Sequence, residues 1–249
     1  EVTIAGMLSV VLMAYIFPPL IFKFLVKSSG KYRQRPISII NLAVMGLSAL
    51  VFFIQLFTVY LLGIVLLELL PHSERRRLWI RRYQQRLFLF DLKHIPRVKF
   101  SVEGITDETF STSSIIISNH QSLLDAAIFM ALSPKTILVS NEKVSCNPII
   151  RKIFKWNGFI TLCDMNSIDD NLIKSYVTNG YSLVIFPEGI RNAHSSIRRF
   201  HKGAFLLAER YQLDIQPFII HGLNMVLPRN SIQVFSGQMT IRAYGRMKH

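Results

Sequence analysis

Two polar stretches carry the side chains that could do chemistry, and each follows a short apolar run. In the first, Ile115, Ile116 and Ile117 give way to Ser118-Asn119-His120-Gln121-Ser122, with Asp125 five residues beyond His120. An imidazole held by a carboxylate is the arrangement a general base needs. On one continuous helix, residues five apart point about 140° apart, so the pair works only if His120 sits in a turn and its ring folds back over the first helical turn. The local sequence suits this: the isoleucines read as a buried strand, Ser118 and Asn119 as a turn or helix cap, and Leu123 onward as a helix. The plainer reading is a cap histidine and a first-turn aspartate that merely favours the helix dipole.

In the second stretch, Ser182 to Phe186 end in Pro187-Glu188-Gly189-Ile190-Arg191. Gly189 permits close approach of the backbone to a ligand, and Arg191 offers a two-pronged donor for a phosphate. Glu188 does not suit a phosphate; it is expected to orient Arg191 or to accept from a hydroxyl. The plainer reading is a loop with a surface Glu/Arg pair. Lys202, further along, would add positive charge to a phosphate site or stand solvated in a first helical turn. His72, His94, His194, His201 and His221 match no metal spacing, and no metal or cofactor is expected.

Taken together, Asn119-His120-Gln121-Ser122-Leu123-Leu124-Asp125 and Phe186-Pro187-Glu188-Gly189-Ile190-Arg191 resemble the first and third sequence blocks of the glycerolipid acyltransferases, the family that includes the lysophosphatidic acid acyltransferases. Phe200-His201-Lys202-Gly203-Ala204 resembles the segment that opens the family's next helix, and Gln216 to Ile220 occupy the place of its fourth block. The resemblance implies a His120 base oriented by Asp125, and an acceptor glycerol phosphate held around Glu188, Gly189 and Arg191. It also implies an acyl-coenzyme A or acyl-carrier-protein thioester as co-substrate. No Gly-x-Ser-x-Gly elbow is present, so direct attack by the acceptor hydroxyl is simpler than an acyl-enzyme route.

The second block departs from the family. Gly158 to Leu162 keep the glycine and the strand, but Cys163, Asp164 and Met165 stand where members often place an arginine linked with the acceptor phosphate. Ile190 stands where threonine is common. A phosphate-free acceptor such as an aminolipid is therefore the alternative substrate. A non-catalytic lipid-binding module attached to a membrane transporter is the alternative from another class.

These side chains must be positioned by a domain and brought to their substrate. From Arg97 the sequence alternates short apolar runs with helical patterns, which argues for an α/β domain over residues 97–249. The expected fold is a central mixed sheet flanked by helices, preceded by N-terminal membrane helices. Half of the 249 residues are hydrophobic, and the formal charge is +14. That combination suits an integral membrane location and an anionic membrane surface, and with no zinc-finger or RNA-recognition signature it argues against nucleic acid. Cys146 and Cys163 match no redox or zinc spacing, in keeping with a reducing compartment.

Residues 1–72 are expected to be membrane-embedded: an apolar run over 2–26 interrupted by Phe17-Pro18-Pro19, a basic loop, and a longer run over 37–70. That longer run exceeds one bilayer crossing as a single helix. A hairpin or re-entrant pair breaking near Gly46 or Gln55 would keep both flanking basic clusters on the cytoplasmic side, where the catalytic domain is expected. Residues 73–96 mix arginines with Trp79, Tyr83 and Phe90 and are expected to lie in the headgroup region. The start at Glu1 suggests a piece of a longer chain, and Ala14 to Phe22 resemble the final membrane helix of resistance-nodulation-type lipid exporters.

Overall fold

Three consecutive β-branched side chains disfavour a helix and fill both faces of a sheet. Ile115–Ser118 accordingly forms a strand, β2, whose four residues are all buried. The computed structural model describes residues 39–70, 73–122, 124–141, 155–162, 169–191, 197–228 and 234–249. The expectations for residues 2–26, for the basic loop after them, for most of the helix expected from about Pro148 to Trp156 and for Cys146, Cys163, Asp164 and Met165 lie outside these residues.

Around β2 the chain builds a seven-stranded sheet. Its other strands are β1 (Val98–Glu103), β3 (Thr136–Asn141), β4 (Ile160–Leu162), β5 (Ser182–Ile185), β6 (Ile215–His221) and β7 (Gly237–Ala243). The order is β1-β7-β6-β2-β5-β3-β4. Strands β6, β2, β5, β3 and β4 run parallel, β7 pairs antiparallel with β6, and β1 runs parallel to β7. The helices are α1 (Ile39–Gly63), α2 (Glu74–His94), α3 (Leu124–Leu132), α4 (Asp170–Thr178), α5 (Gly203–Tyr211) and a single turn α6 (Leu223–Val226).

Alternation along β2 divides the core into two layers. Ile116 joins Leu92 of α2, Ile128 and Phe129 of α3, and Phe218 of β6 on one face. Ile115 and Ile117 join Ile173 and Tyr176 of α4 and Leu207 of α5 on the other. The connection β2–α3–β3 passes over β5, and β5–α5–β6 passes back over β2 on the opposite face. Strand order therefore reverses at the central pair β2/β5, and a crevice opens at the carboxyl ends of these strands.

Strand β7 was not expected from the sequence. Its buried residues Met239, Ile241 and Ala243 alternate with exposed or half-buried ones, the signature of a half-buried strand.

The hairpin expected over 37–70 is absent. Ile39–Gly63 is one helix, running through both Gly46 and Gln55 and ending in a π-helical turn, Ile64–Glu68. A glycine in a helix costs only about 1 kcal/mol, too little to break a run this apolar. Gln55 also has a use: its carboxamide reaches the Asp91 carboxyl on α2, which burial raises above the usual carboxylate range. The carboxyl-terminal part of α1 docks on the domain. Val59 and Tyr60 are buried, Trp156 donates Nε1–H to Glu68 at 3.1 Å, and the Trp156 ring lies where a side chain at Gly63 would sit. Gly46–Glu68 is the one described stretch long and apolar enough to cross a bilayer.

Helix α2, expected in the headgroup region, is packed as a layer of the domain with Ile80, Arg81, Gln84 and Leu92 inward. Arg81 is its anchor. The buried guanidinium donates to the carbonyls of Pro134, Thr136 and Asn157 and lies 5.6 Å from the Tyr181 ring. Desolvation lowers it to about 10, so it remains charged at neutral pH. Tyr181 in turn donates to Glu74 at the start of α2.

Candidate active site

Strand β2 pairs with β6 up to Ser118 opposite Phe218. Asn119 then extends the pairing with its side chain: its carboxamide donates to the Ile220 carbonyl at 2.9 Å and accepts from the Ile220 N–H at 2.8 Å. This side-chain pairing lets the backbone leave the sheet, which places His120 at the edge of the crevice just before α3.

The His120 ring folds back over the first turn of α3, and Nδ1 lies 2.6 Å from Asp125 Oδ2. The same oxygen accepts the backbone N–H groups of Gln121 at 2.7 Å and Ser122 at 3.0 Å. Asp125 is fully buried and the His120 side chain is 23% exposed. A buried carboxylate oxygen held by two backbone donors has one direction left for the imidazole. On its other side the ring stacks on Phe186 at 4.3 Å and 17°, and Phe186 leans on Phe129 of α3. With Nδ1–H donated to Asp125, Nε2 keeps its lone pair, and no described residue hydrogen-bonds to it.

The loop after β5 supplies the second half of the site. Gly189 N–H closes a turn on the Phe186 carbonyl at 3.0 Å. Gly189 has φ +69°, and a side chain there would press on the His201 ring, so both conformation and space call for glycine. Glu188 is buried, and its carboxylate holds backbone on both sides of the loop. Its Oε1 accepts the His120 N–H and its Oε2 the Arg198 N–H, each at 3.0 Å. One carboxylate thus links the base-bearing turn to the segment before α5.

A cavity of about 480 Å³ lies between that loop and that segment, lined by Glu188, Gly189, Ile190 and residues Arg198 to Lys202. Of the residues expected around a phosphate, the fold brings Glu188, Gly189 and Lys202 here; Arg191 follows Ile190 half-buried and is not on the cavity wall. Arg198 and Arg199 were not anticipated. The signal was available as two adjacent arginines immediately ahead of the Phe200-His201-Lys202-Gly203 segment.

These features define an α/β protein with a carboxylate-oriented imidazole at the strand-order reversal and a cationic cavity sharing a wall residue with it. Such a site suits proton removal from a hydroxyl carried near an anionic group. The chain belongs to the acyltransferase family, whose model matches residues 97–221.

Among its relatives is the 1-acyl-sn-glycerol-3-phosphate acyltransferase of Cocos nucifera, 27% identical over 155 residues, covering 59% of this chain and 49% of that protein. The alpha form of that enzyme from Homo sapiens is 26% identical over 172 residues, covering 63% and 58%. The Helicobacter pylori enzyme is 31% identical over 149 residues, covering 56% and 60%. The chain spans about half the length of the first of these relatives. Its fold is that of the 1-acyl-sn-glycerophosphate acyltransferase PlsC of Thermotoga maritima, with a TM-score of 0.62 at 17% identity over 84% of this chain and 86% of that one.

Proposed function

We propose that the protein transfers a fatty acyl chain from an acyl-coenzyme A or acyl-carrier-protein thioester to a hydroxyl of a lysophosphatidic acid-like acceptor. The observation that carries this reading is the 2.6 Å contact between His120 Nδ1 and an Asp125 oxygen already fixed by two backbone N–H groups. It is supported by family membership and by relatives named for acylation of 1-acyl-sn-glycerol-3-phosphate.

In this reaction His120 Nε2 takes the acceptor hydroxyl proton as the oxygen attacks the thioester carbonyl carbon. Asp125 holds the ring in the tautomer that leaves Nε2 free, and stabilises the imidazolium that forms. The tetrahedral adduct collapses with cleavage of the C–S bond, and the imidazolium returns its proton to the leaving thiolate. The ester oxygen comes from the acceptor, the thiol leaves with the donor, and the enzyme is regenerated.

The helix Gly46–Glu68 is the membrane anchor in this account, with the domain on the cytoplasmic side where soluble, anionic thioester donors are found. A net charge of +14 favours their approach. The absence of an arginine at Cys163 to Met165 favours a second reading, O-acylation of a phosphate-free lipid such as an aminolipid.

The test is an acyl-transfer assay in lipid vesicles with labelled acyl-coenzyme A and acyl-carrier-protein donors against a panel of lysolipids. Transfer to lysophosphatidic acid is expected. Transfer confined to phosphate-free acceptors would replace this reading with the second, and no transfer from either donor would sink both.

A further inference from the structure

The cationic cavity has a property that its neighbours do not neutralise. Arg198, Arg199 and Lys202 all line it, and all three are exposed. Among the described residues none of these three side chains makes a hydrogen bond or ion pair. An acidic residue does stand in the same wall, yet Glu188 directs Oε1 to the His120 N–H and Oε2 to the Arg198 N–H. Three cations within five residues, facing a concave surface whose carboxylate is engaged by backbone donors, repel one another until an anion arrives.

We propose that Arg198 and Arg199, assisted by Lys202, form the seat for the terminal phosphate monoester of the lysolipid acceptor. They would take over the work of the arginine missing from the segment around Cys163 to Met165. This rests on the acyl-transfer reading above and names the residues that select its acceptor. A phosphate monoester presents three oxygens, which two guanidinium forks and an ammonium can meet together. The volume of about 480 Å³ is within the usual range for a small-ligand site.

The rim argues for an amphiphile. Ile190 and Phe200 line the same cavity while remaining 46% and 37% exposed, an apolar border for a ligand whose charged end goes in and whose acyl chain stays out. Glu188 supplies the registration: by gripping the backbone of both His120 and Arg198, it fixes the distance between the base and the phosphate seat. An acceptor held by its phosphate then carries its hydroxyl to a constant position relative to Nε2.

The same chemistry is present in the 3′-phosphate of coenzyme A, so the test separates the two sources. Arg198→Gln/Arg199→Gln is compared with the wild type and with Arg198→Lys/Arg199→Lys, with thermal midpoints measured to show that each is folded. The expected result for the glutamine pair is a rise of at least about tenfold in KM for lysophosphatidic acid, with little change in kcat or in KM for acyl-coenzyme A. The lysine pair should recover part of the loss. In a His120→Ala background, binding of lysophosphatidic acid in detergent micelles should weaken by a similar factor.

An unchanged KM for lysophosphatidic acid in a folded glutamine pair overturns the proposal, and so does a rise confined to KM for acyl-coenzyme A, which would assign the seat to the donor. If the wild type transfers nothing to lysophosphatidic acid while the glutamine pair still weakens its binding, the acyl-transfer reading fails and the phosphate seat stands.

Discussion

At the scale of single residues, the site depends on two carboxylates with different tasks. Asp125 aims an imidazole; Glu188 aims backbone. The first was legible in the sequence, because His-x4-Asp after an apolar run admits few geometries in which both side chains meet. The second was legible only as a position: Glu188 was picked out, but its work on two N–H groups 68 and 10 residues away depends on a tertiary approach that no local pattern records. Glu188→Gln keeps the shape and replaces one accepting oxygen with an NH₂ that faces an N–H. A buried donor left unpaired costs about 1–3 kcal/mol. Transfer by Glu188→Gln should therefore fall roughly ten- to a hundredfold in kcat/KM, with kcat lowered and acceptor KM raised. A loss confined to acceptor KM would show that Glu188 acts on the phosphate seat alone.

At the scale of elements, the alternation of apolar runs and helical patterns from Arg97 was enough to place six of the strands, since period and length are local properties. The long helix α1 was misjudged because a charge-counting rule was given more weight than the unbroken apolar run itself, which folds as one helix. Arg81 satisfies three carbonyls in the interior, and a linear sequence does not distinguish it from exposed Arg82 beside it. Arg81→Met should leave those carbonyls without a donor and cost about 3 kcal/mol or more, a fall of roughly 10 °C in thermal midpoint. Arg82→Met should change stability by less than about 0.5 kcal/mol. Equal midpoints for the two variants in detergent would remove Arg81 as the anchor of α2.

At the scale of the whole molecule, an α/β domain is joined to a helix that it covers only in part. Val59 and Tyr60 are buried, whereas Leu47, Leu50 and Ile54 are each more than half exposed. An exposed apolar stripe of that length is not accommodated by water. Two modes of attachment are separable by salt: surface charges are screened within about 10 Å at 0.1 M and less at higher salt, while an inserted apolar helix is indifferent to it. The protein should remain in the membrane fraction through high-salt and alkaline washes and leave only with detergent. Release by salt alone would assign attachment to the basic surface and not to α1.

The central claim is that His120, held by Asp125, removes the acceptor proton. The most direct measurement is the rate of acyl transfer at saturating donor and acceptor for the wild type, His120→Ala and Asp125→Asn, with acceptor binding determined on the same preparations. The account predicts a fall of roughly a hundred- to ten-thousandfold in kcat for His120→Ala with binding retained, and a large loss for Asp125→Asn, whose ring is no longer held in the working tautomer. A His120→Ala enzyme within about twofold of the wild type in kcat would contradict it and require another base.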